Sequence, residues 1–256
     1  MVVPKATLRR TYMLLLLKGE IKKNSNLENY LIRKASRTQS GVMVVTVFTS
    51  PYPKIGNKLQ KFSCKHNCYY CPNEPDMPRS YLSDEPGVQR GWKHHWDPIE
   101  QFYARAYVYM INGHPIDKCE LLVLGGTWSE YPKSYQESFI RDCFYSANTF
   151  FDKTKRIQKS LLEEQKINES AKCRIIGITL ETRPDSIDYN ELKRLRYYGC
   201  TRVQIGIQHI SDKILKYINR GCSNNDAIKC VELLKNVGFK IDFHLMPDLP
   251  GSSIKI

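Results

Sequence analysis

Five short runs of β-branched and aliphatic residues recur along the chain: "VMVVTVF" (42–48), "CELLVLGG" (119–126), "RIIGITLE" (174–181), "RVQIGIQ" (202–208) and "KIDFHLM" (240–246). Helical patterns separate them. Parallel neighbours need a crossover, usually a helix, so this alternation predicts an α/β fold with a parallel sheet. Open doubly wound sheets and (βα) barrels both satisfy it, and both place function at the carboxyl ends of the strands. The unbroken apolar character of 42–48 suits a strand buried on both faces.

The intervening stretches carry helix punctuation. "DPIEQFYARAYVYMINGH" opens on an Asp cap followed by Pro and closes on Gly113. "PKSYQESFIRDCFYSANTFF" follows the second run, and 152–172 either continues it or forms another helix. "SIDYNELKRLRYYG" and "NDAIKCVELLKNVG" both end on glycine. Ahead of the first run, residues 1–39 form a basic helical segment, with Leu8 to Ile21 read as an amphipathic helix. Its longest apolar run, "YMLLLL", has six residues before Lys18. A membrane span needs about 20, and no small-residue cleavage site follows.

Charge suggests a class of partner. The 39 basic and 26 acidic residues leave +13, which fits either a polyanionic partner or plain solubility. The distribution favours the polyanion. Lys5, Arg9, Arg10, Lys18, Lys22, Lys23, Arg33, Lys34 and Arg37 crowd the first segment against Glu20 and Glu28. The nine cysteines are an odd number, and Cys119, Cys143, Cys173, Cys200, Cys222 and Cys230 are scattered. That is no disulfide framework, so most of the six are expected to be buried thiols in a reducing, cytoplasmic setting.

The remaining three lie together in "FSCKHNCYYCPNEP" (62–75), in the long loop after the first run. Thiolates are soft ligands that select zinc, copper(I) or iron–sulfur clusters. Cys64, Cys68 and Cys71 suit a [4Fe–4S] cubane that keeps one iron open. The alternative is zinc closed by His66.

"CKHNCYYC" resembles the C-x3-C-x-aromatic-C motif of the radical S-adenosylmethionine (SAM) superfamily. Within it, the chain from about residue 30 is similar to the Elongator catalytic-subunit family. The likeness is carried in order by "SGVMVVTVFTSPYP", "CYYCPNEPD", "WDPIEQ", "GHPIDKCELLVLGGTW", "GITLETRPD", "YGCTRVQIGIQ", "NRG" and "GFKIDFHLMPDLPG". The resemblance implies a partial (βα)6 TIM-like barrel over residues 40–256, lacking its last strand, and no acetyltransferase-like domain in these residues. It implies an enzyme of the acyltransferase class that adds an acetyl-CoA-derived carboxymethyl group to the wobble uridine of tRNA. Its cofactors would be a [4Fe–4S] cluster on Cys64, Cys68 and Cys71, and SAM. Tyr70, Gly125, Gly126, Thr127, Glu181, Arg183, Gln208, His244 and Met246 would line the SAM pocket. Lys118 would meet acetyl-CoA, while Arg33, Lys34 and Arg37 would face the tRNA. A second chain would supply the acetyltransferase-like part. A tRNA-binding paralogue without turnover, and a radical SAM enzyme with another substrate, are the competing functions. Two departures stand out: the first cysteine gap is the short superfamily form, and Cys222 stands where the family commonly has histidine.

Overall fold

The five apolar runs are the strands of one parallel sheet in the computed structural model, which describes residues 3–253. In chain order the elements are α1 (Lys5–Leu17), α2 (Ser25–Tyr30), a 3-10 turn (Ala35–Thr38), β1 (Met43–Phe48), the antiparallel ribbon β2 (Lys54–Ile55) and β3 (Lys58–Leu59), α3 (Pro86–Lys93), α4 (Pro98–Ile111) and β4 (Lys118–Leu124). Then come α5 (Lys133–Thr149), α6 (Leu161–Asn168), β5 (Arg174–Thr182), α7 (Tyr189–Tyr197), β6 (Arg202–Gln208), α8 (Asp212–Tyr217), α9 (Asn224–Asn236) and β7 (Lys240–Leu245). The sheet order is β1-β4-β5-β6-β7, every pair parallel, so each new strand adds beside the previous one. This sequential winding is that of a barrel wall rather than of a sheet that reverses direction.

The helix signals operate as physical chemistry requires. Asp97 caps α4 by accepting from Glu100 N at 2.9 Å, and Pro98 occupies the first turn. The charged stretch after α5 forms a separate helix, α6, opened by a Ser160–Glu163 capping box. Gly113, Gly199 and Gly238 take positive φ just beyond α4, α7 and α9. The first helix starts earlier and ends sooner than Leu8 to Ile21, stopping at Leu17 before Gly19.

Burial bears out the expectation for 42–48 only at the end of β1, where Val47 joins the main core and Phe48 is buried on the other face with Met77, Val88 and Trp96. Elsewhere the helices cover one face of the sheet. Val45, Leu121, Ile178, Leu180, Val203 and Ile205 point into a core with Phe102, Phe139, Ile140, Leu195 and Leu234 from the helices. Each such side chain stabilises by about 1.5–3 kcal/mol. Alternate residues carry polar groups to the other face. Glu120 accepts from Thr179 Oγ1 at 3.1 Å, Arg202 pairs with Asp242 at 2.6 Å, and Glu181 meets His244. Val44 is half-exposed. The sheet therefore has a dry side against helices and a wet side, where a ligand can enter.

The scattered cysteines divide as expected, with all but Cys222 of the six buried. Burial pushes the Cys173, Cys200 and Cys230 thiols up to about 12, which leaves them unreactive. No helix among the described residues is long and apolar enough to cross a membrane.

Candidate active site

At the carboxyl ends of the strands, the 62–75 loop folds over the wet side and encloses a cleft of ≈ 320 Å³. Cys64, Cys68, Tyr70, Cys71, Gly126, Thr127, Glu181, Arg183, Gln208, His244 and Met246 all line it. They come from the loop and from the ends of β4, β5, β6 and β7.

Each thiol faces a donor. Cys64 Sγ stands 3.9 Å from Thr127 Oγ1. Cys68, the most buried of the three, lies 3.5 Å from Arg183 Nη1 and 3.7 Å from Arg220 Nη1. Cys71 meets Ser80 Oγ at 3.1 Å and Arg79 Nε at 3.3 Å. Three soft sulfurs backed by three guanidiniums fit an anionic iron–sulfur cluster, whose sulfurs take hydrogen bonds and whose charge needs offsetting. A single zinc closed by His66 would need that imidazole to face the three sulfurs. His66 turns to Asp185 instead, its Nε2 2.8 Å from Oδ2 though poorly aligned for a hydrogen bond. Burial and then the charge of Arg183 lower its pKa.

Arg183 anchors the site and is only 3% exposed. It donates to Asp185 Oδ1 at 2.9 Å and to the Arg220 carbonyl at 2.6 Å. Burial opposes its charge, but the Asp185 carboxylate together with the Cys222 and Cys68 sulfurs outweighs it and holds its pKa above the ordinary value. Arg220 in turn donates to the Gly206 carbonyl. A Cβ at Gly206 would fall 3.0 Å from Arg220 Nη2 and 2.7 Å from Gln208 Nε2, so glycine makes room for both. Gln208 ends β6 with φ +73, beside a register shift in the β6–β7 ladder. Such strain collects at sites whose surroundings enforce it. Tyr70 packs on Ile214, Leu215, Ile218 and Leu249, and burial raises its phenol pKa.

Gly125 and Gly126 do separate jobs. Gly126, at φ +103, borders the cleft, where a Cβ would come 3.2 Å from the Arg79 carbonyl. Gly125, at φ +131, lies behind it, and a Cβ there would sit 1.9 Å from Thr49 Oγ1. That hydroxyl is already bound to Tyr131 at 2.8 Å. Gly125→Ala is therefore expected to cost about 2–3 kcal/mol. Gly19→Ala shares a positive φ but meets nothing within 4 Å, so it should cost about 1 kcal/mol. Urea midpoints of the two variants give the clash by difference.

Glu181 links two sides of the cleft. It accepts from Tyr81 OH at 2.9 Å and lies 3.4 Å from His244 Nδ1. Its carboxylate raises the His244 pKa by hydrogen bonding, against burial. A raised folded pKa means the pair's contribution is complete below the unfolded His value of about 6.5. It is lost as pH rises through the folded value. Glu181→Gln should therefore lower the His244 pKa measured by NMR. It should also destabilise the chain more at about pH 5.5 than at about pH 8.5.

The other predicted positions lie elsewhere. Lys118 is exposed at the start of β4, the opposite end of that strand from the cleft. Arg33, Lys34 and Arg37 border a second hollow with Arg105 and His114. Sequence reasoning missed Arg79, Ser80, Tyr81, Gly206 and a role for Arg220. "NRG" and the polar run after the cysteines were the only local signals. Cys222 is half-buried next to Arg183, and burial raises its thiol pKa.

Residues 62–255 match the family model of the radical SAM superfamily. The chain is 41% identical over 232 residues to the tRNA uridine(34) acetyltransferase of Methanocaldococcus infernus, covering 88% of this chain and 40% of that protein. It is 34% identical to human Elongator complex protein 3, covering 87% of this chain and 40% of that one. The solved structure of the archaeal Methanocaldococcus infernus Elp3 with an N-terminal deletion superposes with a TM-score of 0.65 at 37% identity, over 84% of this chain and 40% of that chain. The chain thus spans about 40% of the length of these curated relatives.

Proposed function

The chain belongs to the radical SAM superfamily, and from that premise we propose that it modifies the wobble uridine of tRNA with an acetyl-CoA-derived carboxymethyl group. One observation carries the reading: the three thiols of a single loop meet the carboxyl ends of four strands in one cleft, with guanidiniums behind the sulfurs. In this reading Cys64, Cys68 and Cys71 hold a [4Fe–4S] cluster and Tyr70, Gly126, Thr127, Glu181, Arg183, Gln208, His244 and Met246 border the SAM site, with Gly125 shaping its floor. Cluster and SAM together supply a radical able to remove an unactivated hydrogen.

The chain's own residues bind, orient and shield. Arg79, Arg183 and Arg220 neutralise sulfur charge, and Tyr70 with its aliphatic neighbours closes one wall against water. Glu181, itself held by Tyr81, favours the protonated form of His244 on the cleft wall. A wobble base sits in an unpaired loop, so it can enter without opening a duplex. Lys118 meets acetyl-CoA in this reading, and an acetyltransferase-like unit completes that coenzyme's site. Arg33, Lys34 and Arg37 bear on the tRNA backbone, and the cytoplasm is the setting that keeps the other six thiols reduced.

The test is incubation of anaerobically reconstituted, reduced protein with SAM, acetyl-CoA and tRNA, with and without the second unit, followed by mass spectrometry of the nucleosides. Carboxymethylated uridine is the expected product. SAM cleavage without tRNA modification would assign the cleft to another substrate, and no SAM cleavage at all would leave a tRNA binder.

A further inference from the structure

The second hollow lies at the other end of the sheet, between the 3-10 turn before β1, the last turns of α4 and the Asn112–His114 loop that leads into β4. Strands of this length, at about 3.3 Å per residue, hold it roughly 20 Å from the cleft. It is small, at ≈ 100 Å³, and its polar lining is Arg33, Lys34, Arg37, Arg105, Asn112 and His114, with no carboxylate. None of these four cations forms a salt bridge among the described residues. Arg9 adds a fifth positive charge, its guanidinium packed against Gly113.

A solvated basic face does not look like this. Arg105 Nε and Asn112 Oδ1 are buried without any hydrogen-bond partner, and Asn112 is only 8% exposed. An unmet buried polar group costs about 1–3 kcal/mol. The frame is nonetheless held in place. Tyr109 lies under the Arg105 guanidinium at 4.6 Å and bonds its Nη2 at 3.3 Å. His114 Nδ1 shares a 2.8 Å hydrogen bond with Thr38, and Arg33 N donates to the Asn112 carbonyl at 3.1 Å. Lys34 adopts the left-handed conformation, φ +55, in the turn that carries Arg33 and Arg37. Burial, and then Arg37, Arg105 and Arg9, lower the His114 pKa against one backbone hydrogen bond that raises it.

We propose that this hollow is a socket for one phosphate-ester group, gripped by the guanidiniums of Arg33, Arg37 and Arg105. Planar forks match phosphate oxygens, and a phosphate offsets more of the gathered charge than a carboxylate does. RNA backbone and a nucleotide coenzyme share this chemistry. The inference does not rest on the cluster, and only its RNA arm rests on the tRNA reading.

The test compares the wild-type chain with an Arg33→Gln/Arg37→Gln variant, whose altered side chains are exposed and outside the core. Calorimetric titration with inorganic phosphate, against chloride at equal ionic strength, should show saturable binding that weakens at least about tenfold in the variant. In the wild type, phosphate should raise the His114 pKa seen by NMR, a readout that needs no substitution. Single-stranded RNA and coenzyme A distinguish the sources. If RNA owns the socket, RNA affinity falls in the variant and its salt slope drops by about 0.7 per lost contact. If a coenzyme owns it, coenzyme A affinity falls and RNA binding is unchanged. Absence of phosphate binding by the wild type, or undiminished binding by the variant with His114 unmoved, overturns the proposal.

Discussion

Replacing Cys68 with alanine is expected to abolish the iron–sulfur chemistry while leaving the fold in place. After oxygen-free reconstitution the wild-type chain should bind about four irons, and the variant fewer than one. Reductive SAM cleavage should fall at least about 10³-fold, because no other side chain stands where this sulfur does. Cys68 is the most buried of the three thiols and the one with two guanidiniums on it, Arg183 and Arg220. Without a sulfur anion those two charges confront each other. Far-UV circular dichroism should nonetheless be preserved, since the main core lies on the other side of the sheet. Cys222→Ser is the matched control, and it should retain all of the iron. A Cys68→Ala chain with its full iron complement would show that the loop is not the ligand set.

Arg183→Met should cost about 3 kcal/mol, at the lower end of the 3–5 kcal/mol range for removing one partner of a buried ion pair. Three groups lose their donor at once: the Asp185 carboxylate, the Arg220 carbonyl and the Cys68 sulfur. The loss stays at the lower end because Asp185 is partly exposed and keeps Lys65 at 4.0 Å and His66 at 2.8 Å. Arg183→Lys should not rescue it, since one ammonium cannot span a planar three-way contact. The urea midpoint, taken at constant slope, measures the change.

These two side chains differ in how far the sequence disclosed them. Cys68 announces itself through spacing, because three soft ligands within eight positions have few other uses. Arg183 was recognisable as a charge at the end of a strand, but its partners were not. Asp185 is two residues away, whereas the Arg220 carbonyl is 37 residues on and Cys68 is 115 residues back. The Asp97 helix cap was legible for the same reason that the cysteines were: its partner lies within a turn. The expectation that 42–48 is buried on both faces held only at Phe48 and failed at Val44, because apolar runs cannot show how far along a strand each face is covered. Polar residues between them, Glu120, Thr179, Arg202 and Asp242, mark the wet face only once register aligns them.

Local order, then, was written in the chain itself: five strands, the helices between most of them, and a thiol loop after the first, since periodicity and spacing act over a few residues. Tertiary structure alone decided that Arg79, Arg183 and Arg220 back the sulfurs, that Gly206 clears space for Arg220, and that Lys118 and the basic turn lie at the far end of the sheet. Those facts depend on parallel register and on the sequential order of strands, which bring together side chains up to 152 residues apart. No short-range preference encodes such a meeting; only the packed sheet does.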